Sequence, residues 1–133
     1  MLVLDPAIVA PWVFARAGGA YYEGGCTAIG WAKDGALTAG VVYENYNHAN
    51  VVCHIAGEGN WAVRPFLKVI FDYPFRQLKT KRITAPVASV NSVCQAFVKR
   101  LGFEHEATLI DAHPEGDILF FKMTADKCRW LEL

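Results

Sequence analysis

Four cysteines, at positions 26, 53, 94 and 128, are the side chains readiest for chemistry. None forms a Cys-x-x-Cys pair, and no Cys/His spacing repeats as a zinc site requires, so the sequence predicts no metal. Cys53 and Cys94 sit inside apolar stretches, where a free thiol packs as a small hydrophobe. Unpaired thiols also suit a reducing, cytoplasmic setting. His54, beside Cys53, titrates in the range useful for moving protons at neutral pH; on a strand it is either a proton acceptor or a structural residue. Glu44 shares a strand face with Val42 and Tyr46. Asn91 stands one turn ahead of Cys94 at the start of an apolar-striped helix that stops at Gly102. Asn there is an N-cap at the least.

The elements that must position these residues belong to a chain of 133 residues, 53% of them hydrophobic. That suits one domain, 1–133, with a core of ordinary size. Lys plus Arg equal Asp plus Glu at 13 each, so no global charge draws the chain to nucleic acid or to an anionic membrane. No basic aromatic stripe points to nucleic acid either. The run Lys79-Thr80-Lys81-Arg82 is local and reads as a solvated helix end, with a phosphate site as the alternative. Residues 6–15 are uncharged, but Asp5 precedes them where a secretory signal carries a positive charge. The run is also too short to span a bilayer.

Asp5 as cap and Pro6 at the first helical position predict a helix over 6–17, ended by Gly18-Gly19. Beyond a loop at 21–25 the apolar period falls to two, giving strands over 26–33, 36–46 and 50–56. Asp34-Gly35 is a two-residue hairpin turn between the first pair. The third strand puts Val51, Cys53 and Ile55 on one face and Val52, His54 and Ala56 on the other. Residues 57–60 break the sheet. A helix then runs from about Trp61 or Pro65 to Leu78, where Pro74 removes a hydrogen bond and should kink or fray the last turn. A strand at 82–87, the helix at 91–101 with Gly102 as left-handed cap, strands at 103–110 and 117–124, and a short tail at 126–133 complete the order. Strand–helix–strand over 50–87 demands a right-handed crossover and local parallel pairing, whereas the hairpins demand antiparallel pairing. The expected fold is α/β (α+β): a mixed, largely antiparallel sheet of about six strands flanked by helices.

In this order stand Arg82-Ile83-Thr84-Ala85, Asn91 with Cys94, and Lys99-Arg100-Leu101-Gly102-Phe103. Glu104 and Glu106 follow, then Gly116-Asp117-Ile118-Leu119-Phe120-Phe121-Lys122-Met123 and Cys128-Arg129-Trp130-Leu131. These segments resemble the GNAT family of N-acetyltransferases, within it the ribosomal-protein alanine acetyltransferase type and its small phage-encoded versions. The likeness covers 26–133, most specifically 82–131, and leaves 1–25 unplaced. It implies acetyl-CoA as cosubstrate, lying where strands 50–56 and 82–87 splay apart, its pantetheine arm added to the free backbone edge. It implies pyrophosphate on amides at the start of the central helix. The residues carrying these roles would be Ile55, Ala56, Gly57, Gly59, Asn60, Trp61 and Arg64. The family has Gln or Arg, two residues, then Gly-x-Gly or Gly-x-Ala; this chain has Ala56-Gly57-Glu58-Gly59, so Glu58 brings negative charge toward the phosphates and Arg64 would offset it. Asn91 matches the position that bonds the pantetheine. Cys94 takes the place of a Ser near the CoA sulfur, where a thiol of ordinary pKa, about 8.5, would protonate the leaving thiolate.

Acetyl transfer to an amine needs a proton acceptor, a donor for the thioester oxygen and a means of holding both substrates. The candidates for the first are His54, Glu44 and Glu23; for the second, the resemblance implies a backbone N–H of strand 50–56. His105 and Glu106 read as surface or interface, and Tyr43 and Tyr46 either line an acceptor pocket or pack in the sheet. The acceptor is a protein N-terminus, a lysine or a small amine. Strand edges and exposed aromatics, Trp130 among them, allow a homodimer. A second reading, from another class, is a GNAT-shaped binding module without chemistry; the altered loop and Cys94 point to it.

Overall fold

The structure, a computed structural model, describes residues 1–132; the last residue of the expected tail lies outside them. Three hairpin-linked strands build its first half: β2 (Thr27–Lys33), β3 (Ala36–Glu44) and β4 (Asn50–Gly57). Asp34 and Gly35, at φ +53° and +82°, supply the positive dihedrals that a tight hairpin needs. Alternation then sorts the side chains. Val41, Tyr43, Val51, Cys53 and Ile55 join the main core on one face. Ala28 and Val42 meet Val9, Ala10, Val13 and Phe14 of α1 (Pro6–Ala17) on the other. Asp5 caps α1 by accepting the Ala7 N–H at 2.9 Å. The helix can lie this close because Gly40 faces it: a Cβ there would stand 2.7 Å from Val13 Cγ2 and 2.9 Å from Val9 Cγ1. β1 (Leu2–Val3) pairs with β2. It makes a seventh strand where six were expected, because two residues are too few to show a period.

The second half comprises α2 (Arg64–Asp72), β5 (Arg82–Ala88), α3 (Ser92–Leu101), β6 (Glu104–His113) and β7 (Gly116–Thr124). The sheet order is β1-β2-β3-β4-β5-β7-β6. The β4–β5 pair, joined through α2, is parallel; the other pairings among the described residues are antiparallel. Asn91 Oδ1 accepts the Cys94 N–H at 3.0 Å and starts α3. Gly102, at φ +109°, ends it, and the Phe103 N–H returns to the Val98 carbonyl at 3.0 Å. The abrupt stop is thus a left-handed cap that turns Phe103 into the core.

Pro74 does more than kink its helix. α2 ends at Asp72 and a π-helical turn, Tyr73–Gln77, follows, closed by the Leu78 N–H on the Tyr73 carbonyl at 2.9 Å. Pro74 has no N–H for the Ile70 carbonyl four residues back. The Tyr43 hydroxyl donates to that carbonyl instead. Tyr43 therefore lies buried under the π turn with its ring against Tyr73 (4.9 Å between centroids), and not in an acceptor pocket. Tyr43→Phe strands the buried carbonyl and should lower stability by about 1–3 kcal/mol, seen as an earlier urea midpoint with an unchanged m-value.

Two surface readings also change. Thr80 is buried and Arg82 begins β5, where it pairs with Glu106 and holds that carboxyl below its usual range; Lys79 and Lys81 alone of that run are exposed. Trp130 is turned onto its own chain, its Nε1 donating to the Leu101 carbonyl at 2.8 Å and its ring stacked near Phe71.

Candidate functional site

β4 and β5 pair through Asn50–Arg82, Val51–Ile83 and Val52–Thr84, and no further. Past that point each strand keeps its outer neighbour. β4 stays with β3 as far as Gly57, and β5 stays with β7 as far as Ala88. Residues 53–57 and 85–88 therefore turn unpaired backbone edges toward each other across a wedge. Both ends of the wedge are pinned. At the narrow end Thr84 Oγ1 donates to Asn50 Oδ1 at 2.8 Å. At the wide end Ser89 binds Asp117 twice, its N–H on the Asp117 carbonyl and its Oγ under the Asp117 N–H, both at 2.9 Å. Those bonds hold β5 against β7 and away from β4.

A cavity of about 380 Å³ opens beside the parted segment of β4. Ile55, Ala56 and Gly57 form its strand wall, Glu58, Gly59 and Trp61 its loop wall. α3 supplies Asn91, Cys94, Phe97 and Arg100. Of the residues the resemblance proposed for a cofactor, Asn60 and Arg64 stand outside this lining: Asn60 is exposed on the loop and Arg64 is exposed at the first position of α2. The cations at the cavity are Arg16 and Arg100, neither of which sequence reasoning chose. Arg16 ends α1, stacks 3.7 Å above the Trp12 ring, and donates from Nε to Glu58 Oε1 at 2.8 Å. Nothing in the sequence placed the end of α1 beside residue 58; the basic residue in the last turn was the sole signal. Trp61 lies over Gly57, its ring 4.5 Å from that of Phe97 and edge-on to Phe66.

His54 and Glu44 meet on the other face of the sheet. His54 Nε2 and Glu44 Oε1 are 2.7 Å apart, with side chains 13% and 29% exposed. The bond is diagonal, since His54 stands opposite Val42 and Glu44 opposite Val52. Phe14 of α1 meets the imidazole edge-on at 5.2 Å. His54 does not line the cavity, but its neighbour Ile55 does. Glu23 is exposed on the loop before β2. Tyr46 ties strand to loop through the Leu78 carbonyl (2.9 Å) and His48 Nδ1 (3.1 Å). Burial pushes the Cys94 thiol up. Burial also pushes Cys53 up to about 12. Both thiols keep their protons at neutral pH, so Cys94 can hold a proton at the cavity but is no ready nucleophile.

By sequence, no protein-family model and no curated protein matches the chain. By structure it is similar to a mutant of the spermidine N-acetyltransferase SpeG from Vibrio cholerae, at 15% identity and a TM-score of 0.77, with 97% of each chain covered. It is also similar to spermidine N-acetyltransferase from the same organism in complex with CoA and spermine (17% identity, TM-score 0.65, 89% of this chain and 75% of that one). A third similar structure is the ribosomal-protein-S5-alanine acetyltransferase from Vibrio fischeri (16% identity, TM-score 0.65, 80% of this chain and 66% of that one). The chain has the GNAT fold. Identities this low establish the fold and leave the chemistry to the site. Within the GNAT sheet of this chain, residues 1–25 supply β1 and a single helix, α1, and α1 brings Arg16 to the cavity. No helix among the described residues is long and apolar enough to cross a membrane.

Proposed function

We propose that the chain is an N-acetyltransferase that moves an acetyl group from acetyl-CoA to an amine. The parting of β4 from β5 after Val52 and Thr84, beside a cavity of ligand size, carries this reading. The wedge suits the cosubstrate: an extended chain bearing amides satisfies unpaired strand edges as an added strand would. Gly59, where a Cβ would meet nothing within 4 Å, leaves the backbone clear of side chains at the loop. The similar structure solved with CoA and spermine supports the same cofactor class and an amine acceptor.

Acetyl-CoA, when bound, supplies an acetyl group activated as a thioester. The chain supplies the rest. His54 Nε2 donates to Glu44 Oε1, which holds the ring and stabilises the imidazolium, and the other ring nitrogen, Nδ1, takes the proton that the attacking amine must lose. Because His54 faces the α1 side, the amine approaches from there. Asn91 has its Oδ1 committed to the α3 cap, so its side-chain nitrogen is the atom free to bond a pantetheine carbonyl. Cys94, kept protonated by burial, gives its proton to the departing sulfur. Trp61 and Phe97 form an aromatic wall that keeps water out.

Glu58 favours a second reading, a GNAT-shaped binding module without chemistry, because a carboxylate in the loop opposes phosphates. Melting with acetyl-CoA decides. Cosubstrate at one hundred times its Kd should stabilise the chain by about 2.7 kcal/mol, a rise of several degrees in Tm. Free thiol should then appear when amines are added. Stabilisation without thiol release supports the binding module; no stabilisation overturns the acetyl-CoA reading.

A further inference from the structure

The geometry points to Arg16 as a phosphate-binding residue of the cofactor site, held by Glu58 until a phosphate displaces that carboxylate. This rests on the acetyl-CoA reading above and resolves its main misfit, an acid in the phosphate loop. Three charged side chains line the cavity among the described residues: Arg16, Glu58 and Arg100. The first two neutralise each other through the 2.8 Å bond from Nε to Oε1. Their side chains are 35% and 61% exposed, so the pair is a solvated surface ion pair that contributes little and is readily exchanged. A phosphate oxygen offers the guanidinium a stronger, two-pronged partner.

Arg16 is prepared for that exchange. Its stack on Trp12 and the bond from Nη1 to the Trp12 carbonyl at 3.0 Å fix the plane of the guanidinium. Two of its five N–H donors are thereby engaged. The backbone at Glu58 is also fixed, since its N–H donates to the Thr38 carbonyl at 2.8 Å. Release of Arg16 therefore needs only a rotation of the Glu58 side chain into solvent, and the loop keeps its shape. Arg64, which the resemblance suggested as the compensating cation, stands outside the lining; Arg16 supplies the charge from the opposite layer.

The test is calorimetric titration of the full chain with CoA, for wild type, Glu58→Gln and Arg16→Gln, with ligand-free melts confirming that each folds. Glu58→Gln removes the competitor and should tighten CoA binding by about three- to tenfold, whereas Arg16→Gln should weaken it by about tenfold. Both differences should shrink as salt is raised. Unchanged affinity in either variant, or a shift of the same sign in both, overturns the role of Arg16. If Arg16→Gln does not fold, the sign of the Glu58→Gln effect decides alone. Wild type that binds no CoA at all overturns the acetyl-CoA reading and this inference with it, an outcome distinct from the others.

Discussion

His54→Gln should lower kcat/KM for acetyl transfer by about 10²–10⁴-fold and leave CoA affinity unchanged. The imidazole is mostly buried against Phe14 and bonds Glu44 Oε1 at 2.7 Å. Glutamine reaches a similar distance and keeps a donor for Glu44, but it cannot accept and release a proton. The loss is therefore chemical rather than structural, and the melting temperature separates the two. A base acts by accepting the proton of the attacking amine, so the pH profile of kcat/KM should differ between wild type and the variant. The defect should also narrow at high pH, where more of the amine is already deprotonated. Glu44→Gln keeps a hydrogen-bonding group beside the ring but withdraws the charge that stabilises the imidazolium, and should cost about tenfold or more. An unaltered rate and pH profile in His54→Gln would remove the imidazole from the mechanism and leave it a packing residue of β4.

Gly57→Val should be the most damaging single change to the cofactor cavity. A Cβ at Gly57 would fall 2.1 Å from Trp61 Nε1 and 2.2 Å from Cε2. The indole has no easy retreat, being 6% exposed and packed on Phe66 and Phe97. Either the loop lifts from β4 or the ring moves into the space it now lines. Losing the packing of a buried aromatic of this size costs about 3–5 kcal/mol, which should lower Tm by roughly 10 °C or more. Stabilisation by acetyl-CoA should disappear with it. Adding Trp61→Leu to Gly57→Val should return part of the lost stability, because the two changes share one space and are not additive. A Gly57→Val protein that melts like wild type would show that the indole does not occupy this position.

Local chemistry was legible in the sequence wherever neighbouring residues decide the outcome. Asp5 and Pro6 start α1, Asp34-Gly35 turns β2 into β3, and Asn91 and Gly102 bound α3, each through a bond or a dihedral within a few residues. The period-two runs gave the faces of β4, hence the separation of His54 from Cys53 and Ile55. The strand–helix–strand order gave the parallel β4–β5 pair. What neighbours do not decide was hidden. Pro74 announced a missing bond, but not that Tyr43, thirty-one positions away, takes the carbonyl that Pro74 leaves free, beneath a π turn. Glu44 and His54 were separate candidates until the diagonal register of two strands joined them.

The sequence by itself determined the elements, their order and a mixed sheet, because helix caps, turn dihedrals and apolar periods act over a few residues. Tertiary structure alone decided how far β4 and β5 stay paired, and which cation meets Glu58. Those depend on which distant side chains pin the strands, Asn50 with Thr84 and Ser89 with Asp117, and on where α1 comes to rest against Gly40. Packing across the sheet sets such distances, and no spacing along the chain encodes them.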